Sequence, residues 1–373
     1  DLVDLESMTA LKDLLGKLGS NRHECRQDGA QIGGEVSSER ASYLFNIGLA
    51  PLETADVVLL IGANPRWEAP LVNTRIRKAV RHGRAKVFAI GPEVDLTYRT
   101  TWLGEGADLL TKLPTAAMDA LKAAERPAII VGQGALARAD GAQRLADAEA
   151  LAQQVNVLRD DWTGFGVLHT AAARVGGLDL GFTTVGGTKQ LLCDAEDGTI
   201  KALFLHGADE IETAHLTDTF KIYIGHHGDR GAHGADVILP AASFAEKSAT
   251  WVNMEGRVQR SDRATFPPGD AREDWAILRA LSDVLGVTLP YDDMNALRAR
   301  IASEWPWLGQ PGLASAKWAD FDITSDSKRL DAPYHYPIDD YYMTNAVARA
   351  SEVMHQCAKV VLDDEQPMLE AAE

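Results

Sequence analysis

The sequence predicts an α/β fold with doubly wound, mostly parallel sheets in two nucleotide-fold-like halves, followed by a helical or irregular C-terminal extension. Two observations predict this fold. Short apolar runs, in which apolar and polar residues do not alternate, are typical of strands buried on both faces of a parallel sheet. In this sequence they alternate with segments of helical period. Two of those runs also end in the same Gly-Ala pair, 145 residues apart. We therefore expect an α/β domain over 1–290, with halves of about 1–160 and 161–290, and an extension over 291–373.

The first half is expected to alternate helices with buried strands. An opening helix follows from the apolar residues between Leu5 and Leu18, which repeat every three or four positions and stop at a turn. The later elements have the spacing of βαβ units, which implies right-handed crossovers. They are strands at 56–62, 86–91 and 128–132, and helices at 69–82, 115–125 and about 137–154.

The second half should contain strands at 202–205, 221–224 and 236–239. Two short β-like pieces, 250–253 and 257–259, surround turn residues and indicate a hairpin. After a Pro-Pro-Gly break, the pattern predicts a helix that Asp270 caps, with Glu273 as the capping-box partner. Further helix-like segments lie at 297–305 and 346–362.

Composition excludes several classes of protein. With 46% hydrophobic and 24% charged residues, the 373-residue chain is neither disordered, nor fibrous, nor a small disulfide-stapled domain. Its formal charge of −17 argues against nucleic-acid binding. The densest basic run lies between Arg75 and Arg84, and we interpret it as a solvated helix face; the alternative is a docking surface for an acidic partner.

The three cysteines are Cys25, Cys193 and Cys357, each more than 160 residues from the next. This spacing disfavours a disulfide framework, indicates a reducing compartment, and means that the chain alone cannot supply the thiolates of an iron–sulfur cluster. The longest apolar run, Val57–Ala63, is far shorter than the roughly 18 residues of a membrane span. Because the chain begins with Asp1, we expect a processed or truncated product.

Few residues suggest chemistry on their own. His226, His227 and His233 could in principle bind zinc, but adjacent imidazoles point in different directions, so a glycine-rich loop after a strand is the favoured reading. Paired acids at 160–161 and 292–293 are interpreted as exposed turn residues. No Walker sequence and no Gly-x-Ser-x-Gly motif is present. The residues therefore predict no catalytic, cofactor-binding or metal-binding site.

The repeated Gly-Ala pairs begin at Gly62 and Gly207, and Asn64 and Asp209 follow them at equal distance. Glycine lets the backbone turn sharply at the carboxyl end of a strand, where open α/β sheets bind their ligands. Two stacked nucleotide-type sites would explain the repeat. Ordinary strand-to-helix turns would explain it equally, and on the residues alone we favour that reading.

Several stretches resemble the large iron–sulfur subunit (the G or 75-kDa type) of respiratory complex I, NADH-quinone oxidoreductase. The first is Leu60–Lys78. A longer series of segments matches in order and spacing: Gly225–Asp229, Ala235–Pro240, Glu246–Thr250, Glu255–Gln259, Pro267–Gly269 and Ala271–Trp275. Shorter matches at 95–98, 341–344 and 349–351 extend the resemblance over nearly the whole chain.

The resemblance implies a molybdopterin-oxidoreductase-like domain that holds no pterin, with the two glycine turns as remnants of dinucleotide sites. It implies that [2Fe-2S] and [4Fe-4S] clusters lie in N-terminal modules absent from this chain, which would act as a scaffold without a catalytic site of its own. Expected partners are other peripheral-arm subunits, including the flavin-bearing NADH-oxidising subunit, with no nucleic acid and no transmembrane segment. The expected location is the cytoplasmic face of a bacterial inner membrane or the matrix face of the mitochondrial one.

Two alternatives remain open at this point. One is an active molybdopterin oxidoreductase of the formate-dehydrogenase type, and the other is a free-standing α/β nucleotide-binding protein. No Cys or Ser lies in a recognisable molybdenum-ligand context, and the sequence after Leu289 lacks the series of strands expected of the cap domain in molybdenum enzymes. Both observations favour the scaffold.

Overall fold

The computed structural model describes residues 2–370, apart from 84, 156, 160, 319, 324 and 326, with side chains through 361. The helices in that part of the chain are α1 (Leu5–Lys17), α2 (Pro65–Glu68), α3 (Pro70–Arg81), α4 (Thr115–Ala123), α5 (Gln133–Leu136), α6 (Gly141–Gln154), α7 (Arg174–Asp179), α8 (Gly187–Glu196), α9 (Arg230–His233), α10 (Asp274–Val284), α11 (Met294–Glu304), α12 (Ala346–Arg349) and α13 (Glu352–Glu370). The strands are β1 (Val57–Ile61), β2 (Lys86–Ile90), β3 (Thr101–Gly104), β4 (Pro127–Val131), β5 (Leu158–Arg159), β6 (Trp162–Thr163), β7 (Phe165–Val167), β8 (Ala202–His206), β9 (Phe220–Gly225), β10 (Val237–Pro240), β11 (Ala249–Val252), β12 (Arg257–Ser261) and β13 (Gly312–Leu313).

The first half forms a five-stranded sheet in the order β3-β2-β1-β4-β7, with every neighbouring pair parallel. Val57 lies opposite Lys86 on one side and Pro127 on the other. All five residues of β1 and of β4 are buried, as their unbroken apolar runs predicted. The order 3-2-1-4 is that of a dinucleotide-binding sheet, so the predicted fold class is confirmed.

The second half contains a smaller parallel sheet in the order β10-β9-β8. It is less well covered than the first, because Val237 and Ile238 of β10 are exposed. The predicted hairpin is present as antiparallel β11 and β12, with Gly256 in the left-handed conformation its turn needs, at φ +82°. β13 adds a short third strand to that hairpin.

Three predicted helix boundaries were wrong. The helix expected from about residue 137 begins at Gly141, because Ala137 leaves helical geometry after α5. The helix expected at 346–362 is two helices, α12 and α13.

The third error concerns α10, which Asp270 does not cap. The N–H of Arg272 donates to the carbonyl of Pro240, and the N–H of Ala242 donates to the carbonyl of Arg272. Arg272 therefore continues the strand pairing of β10, and the helix begins only at Asp274. Glu273 makes no capping hydrogen bond, and its carboxylate accepts the indole N–H of Trp275 at 2.7 Å instead.

The core joins distant parts of the sequence. Helix α1 packs against α10 and α11, with Leu14, Leu278 and Leu297 almost fully buried. In the part of the chain that the structure describes, no helix is both long enough and apolar enough to cross a bilayer. Open α/β sheets bind ligands at the carboxyl ends of their strands. In both parallel sheets, a glycine turn follows a strand at that end.

Candidate functional site

The two glycines that the sequence repeat singled out share one geometry. Gly62 and Gly207 have φ angles of +53° and +56°, which L-residues with a side chain adopt at a cost. The N–H of Gly62 donates to the carbonyl of Ile90 at 2.9 Å, and that of Gly207 donates to the carbonyl of Ile224 at 2.8 Å. Each acceptor lies opposite the residue that precedes its glycine. The repeat is therefore a structural equivalence between the two halves.

At the first turn, two loops meet backbone to backbone. A Cβ added to Gly62 would lie 2.6 Å from the backbone nitrogen of Ala135, and one added to Gly132 would lie closer still to the carbonyl oxygen of Gly62. Only glycine allows this approach between the turns that follow β1 and β4. It brings the backbone N–H groups of Asn64 and Gln133 to the same place.

The carboxylate of Glu68 accepts both of those N–H groups, from Asn64 at 2.6 Å and from Gln133 at 2.9 Å. Glu68 is 7% exposed, and no ion pair to it is found among the described residues. Burial raises the pKa of Glu68 to about 7, although the two N–H groups oppose the shift. In dinucleotide folds, N–H groups in this position hold a phosphate. Here the carboxylate of Glu68 accepts hydrogen bonds from these N–H groups instead.

The C-terminal extension covers this first turn. The hydroxyl of Tyr336 donates to the carbonyl of Pro92 at 2.7 Å. A Cβ added to Gly91 would meet that hydroxyl at 2.8 Å, and one added to Gly134 would meet the carbonyl oxygen of His335 at 2.5 Å. The extension therefore fills the space above the turn in which a nucleotide would lie.

A buried ion pair holds the extension in place. Arg144 of α6 and Asp140, the residue before that helix, are both 0% exposed and approach to 2.7 Å. Arg144 donates to the carbonyl of Leu330 at 2.8 Å, and Asp140 accepts the N–H of Leu330 at the same distance. Burial opposes ionisation of Asp140, but this N–H and the side chains of Arg138 and Arg144 lower its pKa overall.

The second turn uses the same arrangement with different residues. The carboxylate of Asp209 accepts the backbone N–H groups of Asp229 and Gly231, each at 2.7 Å. Asp209 is 3% exposed, and burial, followed by the neighbouring carboxyl of Asp229, raises its pKa. A carboxylate of this chain thus takes backbone donors beside both glycine turns.

Arg349 of α12 covers the second turn. Its guanidinium contacts Asp229 at 2.5 Å, Glu210 at 3.1 Å and Asp209 at 3.4 Å. One cation against three carboxylates leaves this crevice net negative, which disfavours a diphosphate. The crevice that Gly207 itself lines holds about 40 Å³ of open space, room for a few water molecules.

A buried charge network lies next to the second turn. Lys247 approaches Asp4 at 2.7 Å and Asp274 at 3.1 Å, and Asp274 also contacts His206 at 2.9 Å. Burial disfavours the charged forms of these side chains. The attraction between opposite charges outweighs burial, so it raises the pKa of Lys247 and lowers that of Asp274. Because Asp4 also caps α1, the network ties α1 to α10 and β8. No sequence pattern indicated this network.

The remaining sequence-based candidates do not form a site. The rings of His226 and His227 contact each other through Nδ1 atoms 2.9 Å apart, and His233 lies in α9. Among the described residues, no three His, Cys, Asp or Glu side chains are grouped to hold a metal ion. Asp161 is exposed, and its neighbour at 160 lies outside the described residues. The carboxylate of Asp292 contacts Arg279 at 2.6 Å at the surface.

The basic run lies on α3. Arg75 and Lys78 pair with Glu53 of this chain, Lys78 at 3.0 Å. Arg77 and Arg81 are exposed, while residue 84 lies outside the described part. Either reading of this face, solvated or docking, is compatible with that exposure.

All three cysteines are free thiols. Burial raises the pKa of Cys25 to about 12, which makes that thiol a poor nucleophile at neutral pH.

Sequence reasoning missed Glu68 and Arg349 as functional candidates, although both lie inside segments that resembled the complex I protein. The repeat did single out Asn64 and Asp209, without indicating their roles. In the structure Asn64 supplies a backbone donor, whereas Asp209 supplies the accepting carboxylate.

Comparisons with known proteins agree with the fold. A family model described as molybdopterin oxidoreductase matches residues 1–284, and one for the C-terminal part of the NADH-ubiquinone oxidoreductase G subunit matches 313–357. The chain is 39% identical to NADH dehydrogenase [ubiquinone] iron-sulfur protein 1, mitochondrial, of Solanum tuberosum, over 96% of this chain and 48% of that protein. It is 37% identical to the NADH-ubiquinone oxidoreductase 75 kDa subunit of Reclinomonas americana, over 96% of this chain and 54% of the relative. The NADH-quinone oxidoreductase G subunit of Rickettsia bellii is 39% identical, over 96% and 51%. The chain spans about half the length of these curated relatives.

The first of these family models implies a pterin cofactor, and the residues present do not fit its dinucleotide form. At both glycine turns a carboxylate already accepts the backbone donors, Glu68 at one and Asp209 at the other. Tyr336 and Arg349 cover the same turns. A phosphate placed there would face a carboxylate and would have to displace the extension, so no chemistry is derived through a pterin.

Proposed function

The chain belongs to the molybdopterin oxidoreductase family, and we propose that it is the scaffold part of the large iron–sulfur subunit of a proton-translocating NADH:quinone oxidoreductase, respiratory complex I. The resemblance expected from its motifs is confirmed by relatives named as the 75 kDa, 78 kDa or G subunit of such oxidoreductases. The observation that carries the scaffold role is the pair of self-filled turns. A domain whose own carboxylates and extension fill its nucleotide crevices fits a structural role better than a catalytic one.

If this chain is a scaffold, the electrons pass through groups that other parts of the complex hold. In the proposal, a flavin in a neighbouring subunit accepts hydride from NADH, and electrons pass singly through iron–sulfur clusters to quinone. The [2Fe-2S] and [4Fe-4S] clusters belong to the full-length subunit. This chain contributes none of their ligands, since its three cysteines lie more than 160 positions apart in sequence. It contributes no catalytic residue and holds no molybdopterin.

The proposed partners are other subunits of the peripheral arm, including the flavin-bearing NADH-oxidising subunit. The proposed location is the cytoplasmic face of a bacterial inner membrane or the matrix face of the mitochondrial one. Within the chain, we propose that residues 1–290 form the α/β domain and that 291–373 form an extension whose task is to seal it. The contacts of Leu330, Tyr336 and Arg349 support that task.

Native purification tests the proposal. An affinity tag on this polypeptide in its host should recover, from detergent-solubilised membranes, a large assembly that oxidises NADH and reduces a water-soluble quinone. Recovery as a single polypeptide that binds NAD or another nucleotide tightly would overturn the proposal in favour of a free-standing protein. Recovery of formate oxidation with stoichiometric molybdenum would overturn it in favour of an active molybdopterin enzyme.

A further inference from the structure

A cavity of about 170 Å³ lies between α1, α8 and β8, next to the second glycine turn, since His206 and Ala208 on either side of Gly207 line it. Its walls are mostly apolar and include Leu11 and Leu15 of α1, Leu192 of α8 and Phe204 of β8. An engineered cavity of about 150 Å³ with comparable walls in another protein stays dry and binds benzene. The space here therefore matches one six-membered ring with a small substituent.

Unpartnered hydrogen-bonding nitrogens cluster on the lining of this cavity. Arg174 is 2% exposed, and although its Nη2 contacts Asp28 at 2.9 Å, its Nε and Nη1 have no hydrogen-bond partner among the described residues. Nε2 of His23 and Nδ1 of His206 are likewise buried without a partner there. All three side chains line the cavity. Nδ1 of His23 donates to the carbonyl of Asn21 at 2.7 Å, so Nε2 of that neutral ring is an acceptor, and Nε and Nη1 of Arg174 remain as donors without an acceptor. Because buried donors left without an acceptor cost stability, Arg174 points to a ligand that brings one.

The charges around the cavity favour a neutral ligand. Arg174 is balanced by Asp28, whose pKa is raised by burial but lowered overall by the neighbouring guanidinium. Arg22 pairs with Asp194, and Glu24 pairs with a buried arginine beside it. No surplus positive charge remains on the described lining to balance a carboxylate. Burial also lowers the pKa of His23, which keeps that ring neutral.

We propose that this cavity is a binding site for a neutral, apolar molecule of about one substituted ring, whose carbonyl oxygen accepts hydrogen bonds from Arg174. The apolar part of the ligand would contact the leucine and phenylalanine walls. The proposal does not rest on the scaffold role, because it is argued from the walls of the cavity and the donors of Arg174.

Three ring compounds of similar size test the proposal by NMR titration of the whole chain. Acetophenone has the carbonyl, cumene replaces it with a hydrocarbon group, and benzoate replaces it with a charged carboxylate. We expect acetophenone to bind about tenfold more tightly than cumene, the ratio that one hydrogen bond to a charged donor gives, and more tightly than benzoate. Tightest binding of benzoate would overturn the neutral-ligand assignment, and absence of binding by all three would mean that the cavity holds only water.

Variants locate the site. The single variant Asp28→Asn keeps the two unpartnered donors of Arg174. The double variant Asp28→Asn with Arg174→Met removes these donors, and it leaves no buried carboxylate at position 28 without its guanidinium partner. The double variant should bind acetophenone about tenfold more weakly than Asp28→Asn and no better than cumene. Leu192→Trp fills the cavity and should abolish binding of both, while Leu71→Trp, at an exposed position on α3, should leave it unchanged. If the double variant fails to fold, the ligand series and Leu192→Trp decide the question. Binding that survives Leu192→Trp would overturn the proposed location.

Discussion

The protonation of Glu68 should make the stability of this protein depend on pH in an unusual direction. Its carboxyl is buried with only backbone N–H groups as partners among the described residues, and burial raises its pKa from 4.5 to about 7. Between those values the folded chain holds the proton more tightly than the unfolded chain does. The stability that Glu68 contributes is therefore fully present below about pH 4.5 and is lost as the pH rises through 7.

The size of the effect follows from the same two values. A pKa difference of about 2.5 at about 1.4 kcal/mol per pH unit gives about 3.5 kcal/mol in all, of which about 2.5 kcal/mol falls between pH 5 and pH 8. Glu68→Gln keeps the size of the side chain but cannot ionise. The free energy of unfolding of the unmodified chain minus that of Glu68→Gln should thus decrease by about 2.5 kcal/mol from pH 5 to pH 8.

Urea unfolding followed by tryptophan fluorescence at pH 5, 6, 7 and 8 measures this difference. Glu93→Gln, the same substitution at an exposed position after β2, serves as the control. A difference that grows from pH 5 to pH 8 would refute the reasoning. It would mean that the N–H groups of Asn64 and Gln133 stabilise the carboxylate more than burial opposes it.

Three further perturbations test other parts of the structure. Lys247→Met should lower the free energy of unfolding by about 3–5 kcal/mol in a urea titration, because it removes the cation that two buried aspartates share. Thermal unfolding should show that Gly62→Ala costs more than about 2 kcal/mol and that Gly207→Ala costs about 1–2 kcal/mol. The added Cβ would lie 2.6 Å from a backbone nitrogen at Gly62, but 3.0 Å from one methyl group of Val3 at Gly207. Charge reversal at Arg77 and Arg81 should lower the yield of the assembly on native gels and make it more sensitive to salt, if that exposed face docks a partner.

Each of these has a matched comparison. Lys78→Met breaks an exposed pair with Glu53 and should cost much less stability than Lys247→Met, so an equal loss at both lysines would contradict the importance given to burial. Equal costs at the two glycines would contradict the close backbone contact assigned to Gly62. Unchanged assembly and salt sensitivity after both charge reversals would leave α3 as a solvated face.

Local pattern predicted the central part of the fold. The unbroken apolar runs of β1, β2 and β4 became a parallel sheet because a strand buried on both faces has no polar positions to alternate. The Gly-Ala repeat predicted a sharp turn after each strand, and the structure shows that Gly62 and Gly207 make these turns in the left-handed conformation that other residues avoid. These features are determined by residues adjacent in sequence.

The features that were missed depend on contacts between distant residues. Glu68 accepts an N–H from Gln133, 65 positions away, and nothing in its local sequence indicates that donor. The start of α10 was misplaced because Arg272 pairs with the end of β10. The segment around Tyr336 has no helical or strand period, so its place above the first turn could be read only from the structure.

The central claim is that this domain keeps a dinucleotide fold while its own carboxylates, Glu68 and Asp209, take the backbone donors of both turns. Molybdenum and pterin content of the natively purified polypeptide tests it most directly, by elemental analysis together with pterin fluorescence after oxidation. We predict neither above trace level in an assembly that oxidises NADH. One molybdenum atom and bound pterin per polypeptide would contradict the claim, because both turns would then have to open to hold a cofactor.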